Sequence, residues 1–235
     1  MAQRFYGGQN SNNFSEWTAV VTSGTKNFSL SAGSALGGTA FGLLWDGGAG
    51  THRKATFNIP TTGTAEIRIA FRLNIDTFAM SGFGFHNIFE VTKDGGIETQ
   101  VCWLGLKESG GFIFPNMEVR IDSGASISVT SPSIMPGGDA TLECRLKKAS
   151  SDIANDGEAE VFVNGFSVVS NTSLDIFNRM VVASTTRIHL IADGGAAGTP
   201  GNYDVDEFYY RDDVTPIFPP VAFSGYDLVL GGGQP

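Results

Sequence analysis

Residues 158–169 read Glu-Ala-Glu-Val-Phe-Val-Asn-Gly-Phe-Ser-Val-Val, two alternating runs that meet at Asn164-Gly165. Asn-Gly accepts the positive φ angles of a two-residue type I′ turn, whose twist suits the strands on either side. The segment therefore predicts an antiparallel hairpin. Asp156-Gly157 supplies a second turn just before it. Period two recurs upstream. Over residues 65–75 it places Ile67, Ile69, Phe71, Leu73 and Ile75 on one face, with Glu66, Arg68 and Arg72 on the wet one. Over residues 141–147 it turns Leu142, Cys144 and Leu146 inward. Shorter strands are expected at 19–22, 27–31, 38–44, 83–91, 100–106, 111–114, 117–121 and 126–130. Doublets such as Gly37-Gly38, Gly110-Gly111 and Gly137-Gly138 punctuate these runs, since tight turns need residues that tolerate φ > 0. The only helical expectation is a turn or two within residues 173–180, with Ser173 as N-cap. This pattern predicts an all-β chain of two packed antiparallel sheets.

Charge and patterning exclude several functions. The net charge is −9, and Lys/Arg cluster only at His52-Arg53-Lys54 and Lys147-Lys148, so nucleic acid is not an expected partner. No apolar run approaches the roughly 20 residues of a membrane-spanning helix, and none is expected to insert. The N-terminus has no apolar signal-peptide region, which predicts synthesis without secretion. Cys102 and Cys144 lie in strand-like runs and are expected as buried free thiols rather than a disulfide. Residues 1–13 read as a polar arm and 14–213 as the sandwich. Residues 214–235 read as an extended apolar arm broken by Pro216, Pro219 and Pro220. Ile217, Phe218, Phe223 and Leu228 on that arm must be covered, by the domain itself or by a neighbouring subunit.

The hairpin is followed by Arg187-Ile-His-Leu-Ile-Ala192 and then by Tyr203-Asp-Val-Asp-Glu-Phe-Tyr-Tyr210. This order resembles the closing half of laminin-G-like and concanavalin A-like jelly rolls, and Phe14-Ser-Glu-Trp17 resembles their opening. The resemblance implies a two-sheet antiparallel jelly-roll β-sandwich. It also implies a structural Ca²⁺ between Asp206 of the last strand and Glu16 near the opening; the alternative is a solvated acidic edge. Sugar binding on this fold uses aromatic platforms. Trp45, Trp103, Phe112 and Tyr203 are the candidates, Trp45 beside its Gly-rich loop and Tyr203 foremost, while the commoner fate of strand aromatics has Trp103 and Phe112 fill the sandwich. Glycanases of the fold carry Glu-x-Asp-x-x-Glu, which is absent. The densest acid cluster, Asp204, Asp206, Glu207, Asp212 and Asp213, belongs to the closing strand, where alternation puts Asp204 and Asp206 on one face and Glu207 on the other. His52, His86 and His189 fit no zinc or triad spacing, and His86 reads as a near-core sheet residue. The expectation is a chain without catalysis and with no cofactor beyond that calcium.

An acidic jelly roll rich in Gly and Phe, with a polar leading arm and an apolar trailing arm, also resembles virion proteins of tailed bacteriophages. That resemblance implies a capsid-decoration, head-fibre or tail-associated structural protein located in the virion. Its expected partners are other copies of itself, a capsid or tail protein, and a host-surface glycan. Ile217, Phe218, Phe223 and Leu228 would then form an assembly arm. The alternative is a stand-alone lectin-like carbohydrate-binding module, and a glycoside hydrolase of the same fold is the less favoured third reading.

Overall fold

The structure is a computed structural model and describes residues 5–7, 19–22, 28–34, 36, 42–46, 53–59, 65–76, 85–94, 98–180, 185–192 and 202–211. Its strands are β1 (Phe5–Gly7), β2 (Ala19–Thr22), β3 (Phe28–Ser31), β4 (Gly42–Asp46), β5 (Arg53–Ile59), β6 (Glu66–Asn74), β7 (Phe85–Asp94) and β8 (Glu98–Ser109). There follow β9 (Phe112–Arg120), β10 (Ser126–Thr130), β11 (Asp139–Lys147), β12 (Gly157–Val163), β13 (Phe166–Leu174), β14 (Thr185–Ala192) and β15 (Asn202–Arg211). One helical turn, α1 (Phe177–Met180), lies between β13 and β14. Among the described residues no helix is long and apolar enough to cross a membrane.

The strands form two antiparallel sheets. One has eight strands in the order β13-β12-β11-β6-β15-β4-β3, with β1 also paired to β15. The other has seven, in the order β10-β9-β8-β7-β14-β5-β2. Residues 5–7, within the stretch 1–13 read as a polar arm, pair with β15 as a strand of the sheet. The assembly-arm residues Ile217, Phe218, Phe223 and Leu228, and Glu16, lie outside the described residues.

The alternation read from sequence is what joins the sheets. Ile67, Ile69, Phe71 and Leu73 of β6 and Leu142, Cys144 and Leu146 of β11 are all buried, facing Phe89, Leu104, Leu106, Met117 and Val119 from the other sheet. Phe71, Phe89 and Phe208 stack with centroids 5.8–6.0 Å apart, at the spacing aromatic pairs prefer. Cys102 and Cys144 are both buried free thiols; a hydrogen bond between them, and then burial, raise the Cys102 pKa well above the ordinary thiol range. The hairpin forms as expected, with Asn164 at φ 52° and Gly165 at φ 79°. It is tied back to β11, because Asn164 N–H donates to the Thr141 carbonyl (2.9 Å) and Thr141 N–H to Asn164 Oδ1 (2.8 Å).

Three local expectations are corrected. Strands foreseen at 111–114 and 117–121 are a single β9 running through Pro115. The Pro115 carbonyl accepts from Ser131 N–H, so its nitrogen faces the β10 side beyond Thr130, the last ladder residue, where no donor is needed. Ser173 lies inside β13 and does not cap α1. Asp122, from a distant turn, accepts the N–H groups of Asn178 (2.8 Å) and Arg179 (2.9 Å) instead. Glu66 and Arg68 face outward but are not wet: each is 5 % exposed. They belong to an ion-pair lattice in which Arg68 meets Glu66 (3.0 Å) and Glu143 (2.7 Å) and Arg145 meets Glu66 (3.0 Å) and Glu158 (2.9 Å). Lys147 closes the lattice on Glu158 at 2.6 Å.

Candidate functional site

Two bulges shape the outer face of the seven-stranded sheet. Register slips between Asn87 and Phe89 and between Val91 and Thr92 leave Ile88-Phe89 on β7 and Val101-Cys102 on β8 as consecutive buried pairs. A bulge inserts one residue and resets which side chains face out. As a result Glu90 and Thr92 of β7 and Trp103, Gly105 and Lys107 of β8 share the outer face. Gly105 is needed there, because a Cβ at this position would lie 2.0 Å from the His86 carbonyl oxygen.

Ladder register then runs one line of residues across six strands: Thr56, His189, Glu90, Trp103, Glu118 and Ser128. Beside this line, toward α1, is a cavity of about 480 Å³ lined by Glu90, Thr92, Thr99, Gln100, Arg120, Gly124 and Arg179. That volume falls in the range of about 300–1,000 Å³ usual for small-ligand sites. Gln100 Nε2 donates to Glu90 Oε1 at 2.6 Å. Arg120 lies over the Trp103 ring at 5.1 Å and donates through Nη1 to the Gly124 carbonyl at 3.0 Å. Arg179 donates through Nε to the Ile121 carbonyl, also at 3.0 Å. Each guanidinium is therefore fixed by one backbone oxygen, and a guanidinium has five N–H donors. Lys93, at the same end, donates to the Asn178 carbonyl (2.7 Å); burial lowers its pKa, Asp122 raises it and Arg179 adds to the lowering.

The residues singled out from sequence fall elsewhere. Tyr203 is 3 % exposed and joins the sheets by a 2.8 Å hydrogen bond between its hydroxyl and His86 Nε2, so it is not a sugar platform. Trp45 sits opposite it in the β4–β15 ladder, and its side chain lies outside the described residues. The expectation that Trp103 and Phe112 fill the sandwich is reversed: Trp103 is half-buried on the outer face, and Phe112 is 57 % exposed at the β8–β9 hairpin. His86 is fully buried, as expected. Asp206 is fully buried, accepting Leu36 N–H at Oδ2 (2.9 Å) and Glu207 N–H at Oδ1 (2.8 Å). It thereby ties the last strand to the segment after β3 and is no solvated edge. Among the described residues no group of three His, Cys, Asp or Glu is placed to hold a metal ion. Glu207 does not take the opposite face. A register slip between Asp206 and Tyr209 and a φ of 52° turn it to an ion pair with Arg72, the ladder partner of Asp206.

The cavity itself was not foreseen, since its walls come from three strands, a turn and α1. Of its described lining residues only Arg120 carried a local signal, as an outward position of an alternating run.

No family model matches the chain, and no curated protein matches it in sequence. Many solved structures share its fold. The endo-β-1,4-glucuronan lyase of the fungus Trichoderma reesei is 13 % identical at a TM-score of 0.55, over 88 % of this chain and 94 % of that one. The CBM2 module of the evolved Dit of Lactobacillus casei BL23 phage J-1 is 12 % identical at 0.53, over 89 % and 95 %. A botulinum neurotoxin type C structure, described with two ganglioside molecules in cell entry, is 12 % identical at 0.57, over 91 % of this chain and 49 % of that one. At these identities the likeness establishes the fold alone, an all-β jelly-roll sandwich.

Proposed function

We propose that the chain is a non-catalytic carbohydrate-binding module carried on a virion, with the outer face of the seven-stranded sheet as its glycan surface. The observation that carries this reading is the polar cavity beside Trp103, lined by Gln100, Thr92, Thr99 and two arginines. Sugars are recognised by polar groups of this kind, and Trp103 packs beneath one of them, the Arg120 guanidinium. Structures of the same fold described as a phage CBM2 module and as a ganglioside-dependent toxin support the binding role, and the phage module supports the virion setting. Calcium at Asp206 and assembly through residues 214–235 belong to the same proposal.

A glycan-cleaving enzyme is the second reading, and one observation favours it: Glu90 and Glu118 lie in the same cross-strand line with only Trp103 between them. Against it, the indole separates the two acids, and Glu90 is 6 % exposed and engaged by Gln100. Affinity electrophoresis through a panel of polysaccharides separates the readings. Retention of the wild type, lost in Trp103→Ala with the fold intact, is expected. Wild-type migration unaffected by every polysaccharide would refute glycan binding, and release of new chain ends that stops in Glu90→Gln would refute the absence of catalysis. Labelling of purified particles by an antibody to the chain tests the virion setting.

A further inference from the structure

The cavity's chemistry narrows the ligand. We infer that it takes an anionic sugar, one bearing a carboxylate or a sulfate, with the charge held between Arg120 and Arg179. This rests on the glycan-binding reading above and adds the class of glycan.

The two guanidiniums reach the cavity from separate elements, the end of β9 and α1, and the 121–125 turn holds both. Neither makes an ion pair with a carboxylate among the described residues; the acidic neighbour, Asp122, spends both oxygens on the backbone N–H groups of α1. The contrast lies on the other sheet, where Arg68, Arg72 and Arg145 are each matched to glutamates. A planar fork fixed at one nitrogen presents its remaining donors in the geometry that a carboxylate or sulfate accepts. Glu90, the one acid among the described residues of the wall, is occupied at Oε1 by Gln100. The chain's net charge of −9 opposes an anion only at long range, where it is screened over about 8 Å at physiological ionic strength. Contacts inside the cavity are screened less. Local and global charge thus have opposite signs, and the local sign decides which sugar enters.

The test is calorimetric titration with three oligosaccharides of equal length: a uronate oligomer, a sulfated oligomer and a neutral β-1,4-glucan. The wild type is expected to bind one or both acidic oligomers at least tenfold more tightly than the neutral one, and which of the two binds better separates carboxylate from sulfate. Arg120→Gln and Arg179→Gln are each expected to weaken acidic binding about tenfold or more and neutral binding by less, in line with the loss of a charge-assisted hydrogen bond. Because either arginine also anchors the turn, Thr99→Asp provides a variant that leaves both arginine anchors in place. It places a carboxylate on the cavity wall and should abolish the preference for acidic oligomers. Equal wild-type affinity for neutral and acidic oligomers, or a preference that survives Thr99→Asp, overturns the inference while leaving glycan binding in place. No binding of any oligomer by the wild type overturns both.

Discussion

Gly105→Ala places a methyl group where the structure leaves no room. The new Cβ would lie 2.0 Å from the His86 carbonyl oxygen and 2.9 Å from Asn87 Cα, both main-chain atoms. A carbon and an oxygen normally approach to about 3.3–3.6 Å, so β7 and β8 must separate by more than an ångström at the bulge. Overpacking of this kind costs about 1–3 kcal/mol. The same movement pulls His86 from Tyr203, whose 2.8 Å hydrogen bond adds about 1 kcal/mol. A total of about 2–4 kcal/mol lowers the Tm of a chain this size by about 4–16 °C, at about 2–4 °C per kcal/mol. Gly110→Ala is the internal control. It has φ +64° and nothing within 4 Å of a built Cβ, so it carries only the left-handed backbone cost of about 1–2 kcal/mol. Thermal unfolding followed by circular dichroism compares the two. If Gly105→Ala loses no more stability than Gly110→Ala, the close approach that shapes the outer face is wrong.

Tyr203→Phe should lower stability by about 1 kcal/mol in urea titration while leaving glycan retention intact, since the hydroxyl serves the inter-sheet bond and not the surface. The Glu158 pKa is held below the ordinary glutamate value chiefly by its hydrogen bond to Lys147, with burial opposing and Arg145 assisting. Its stabilising contribution is therefore present above the unfolded glutamate pKa and lost as pH falls through the lower folded value. Denaturation midpoints between pH 6 and pH 3 should fall less steeply in Glu158→Gln than in wild type, and identical slopes would remove the lattice from the acid response. Cys102, its thiol held protonated by Cys144 and by burial, should resist a thiol reagent in native protein at pH 8 and react on unfolding. Rapid labelling of the native state would contradict the packing.

What sequence revealed was local in origin. The Asn164-Gly165 turn and the alternation of β6 and β11 depend on neighbours in the chain, so both were legible. The outward positions of β7 and β8 were not, because two bulges shift the alternation at Ile88 and Val101 and only a paired strand reveals the extra residue. The same holds for Glu207, whose left-handed φ reverses the side expected from simple alternation. Tyr203 and Trp103 exchanged roles for a related reason. Aromatic side chains suit both faces of a sheet, and here a buried histidine partner decides for Tyr203 while Arg120 covers the ring of Trp103 on the outside.

The last two described strands lie in the interior of their sheets, β15 between β6 and the pair β4 and β1, and β14 between β7 and β5. On a ribosome, β6 through β13 could begin pairing while β1 to β5 waited with no neighbour on one side. The seven-stranded sheet cannot close until residue 192 has left the exit tunnel, nor the eight-stranded sheet until residue 211 has. Assembly of the whole domain is thus a late event with high contact order, and slow folding is expected for such non-local pairing. A nascent chain stopped before β14 would expose the bonding edges of β5 and β7 together, the arrangement most open to pairing with another copy.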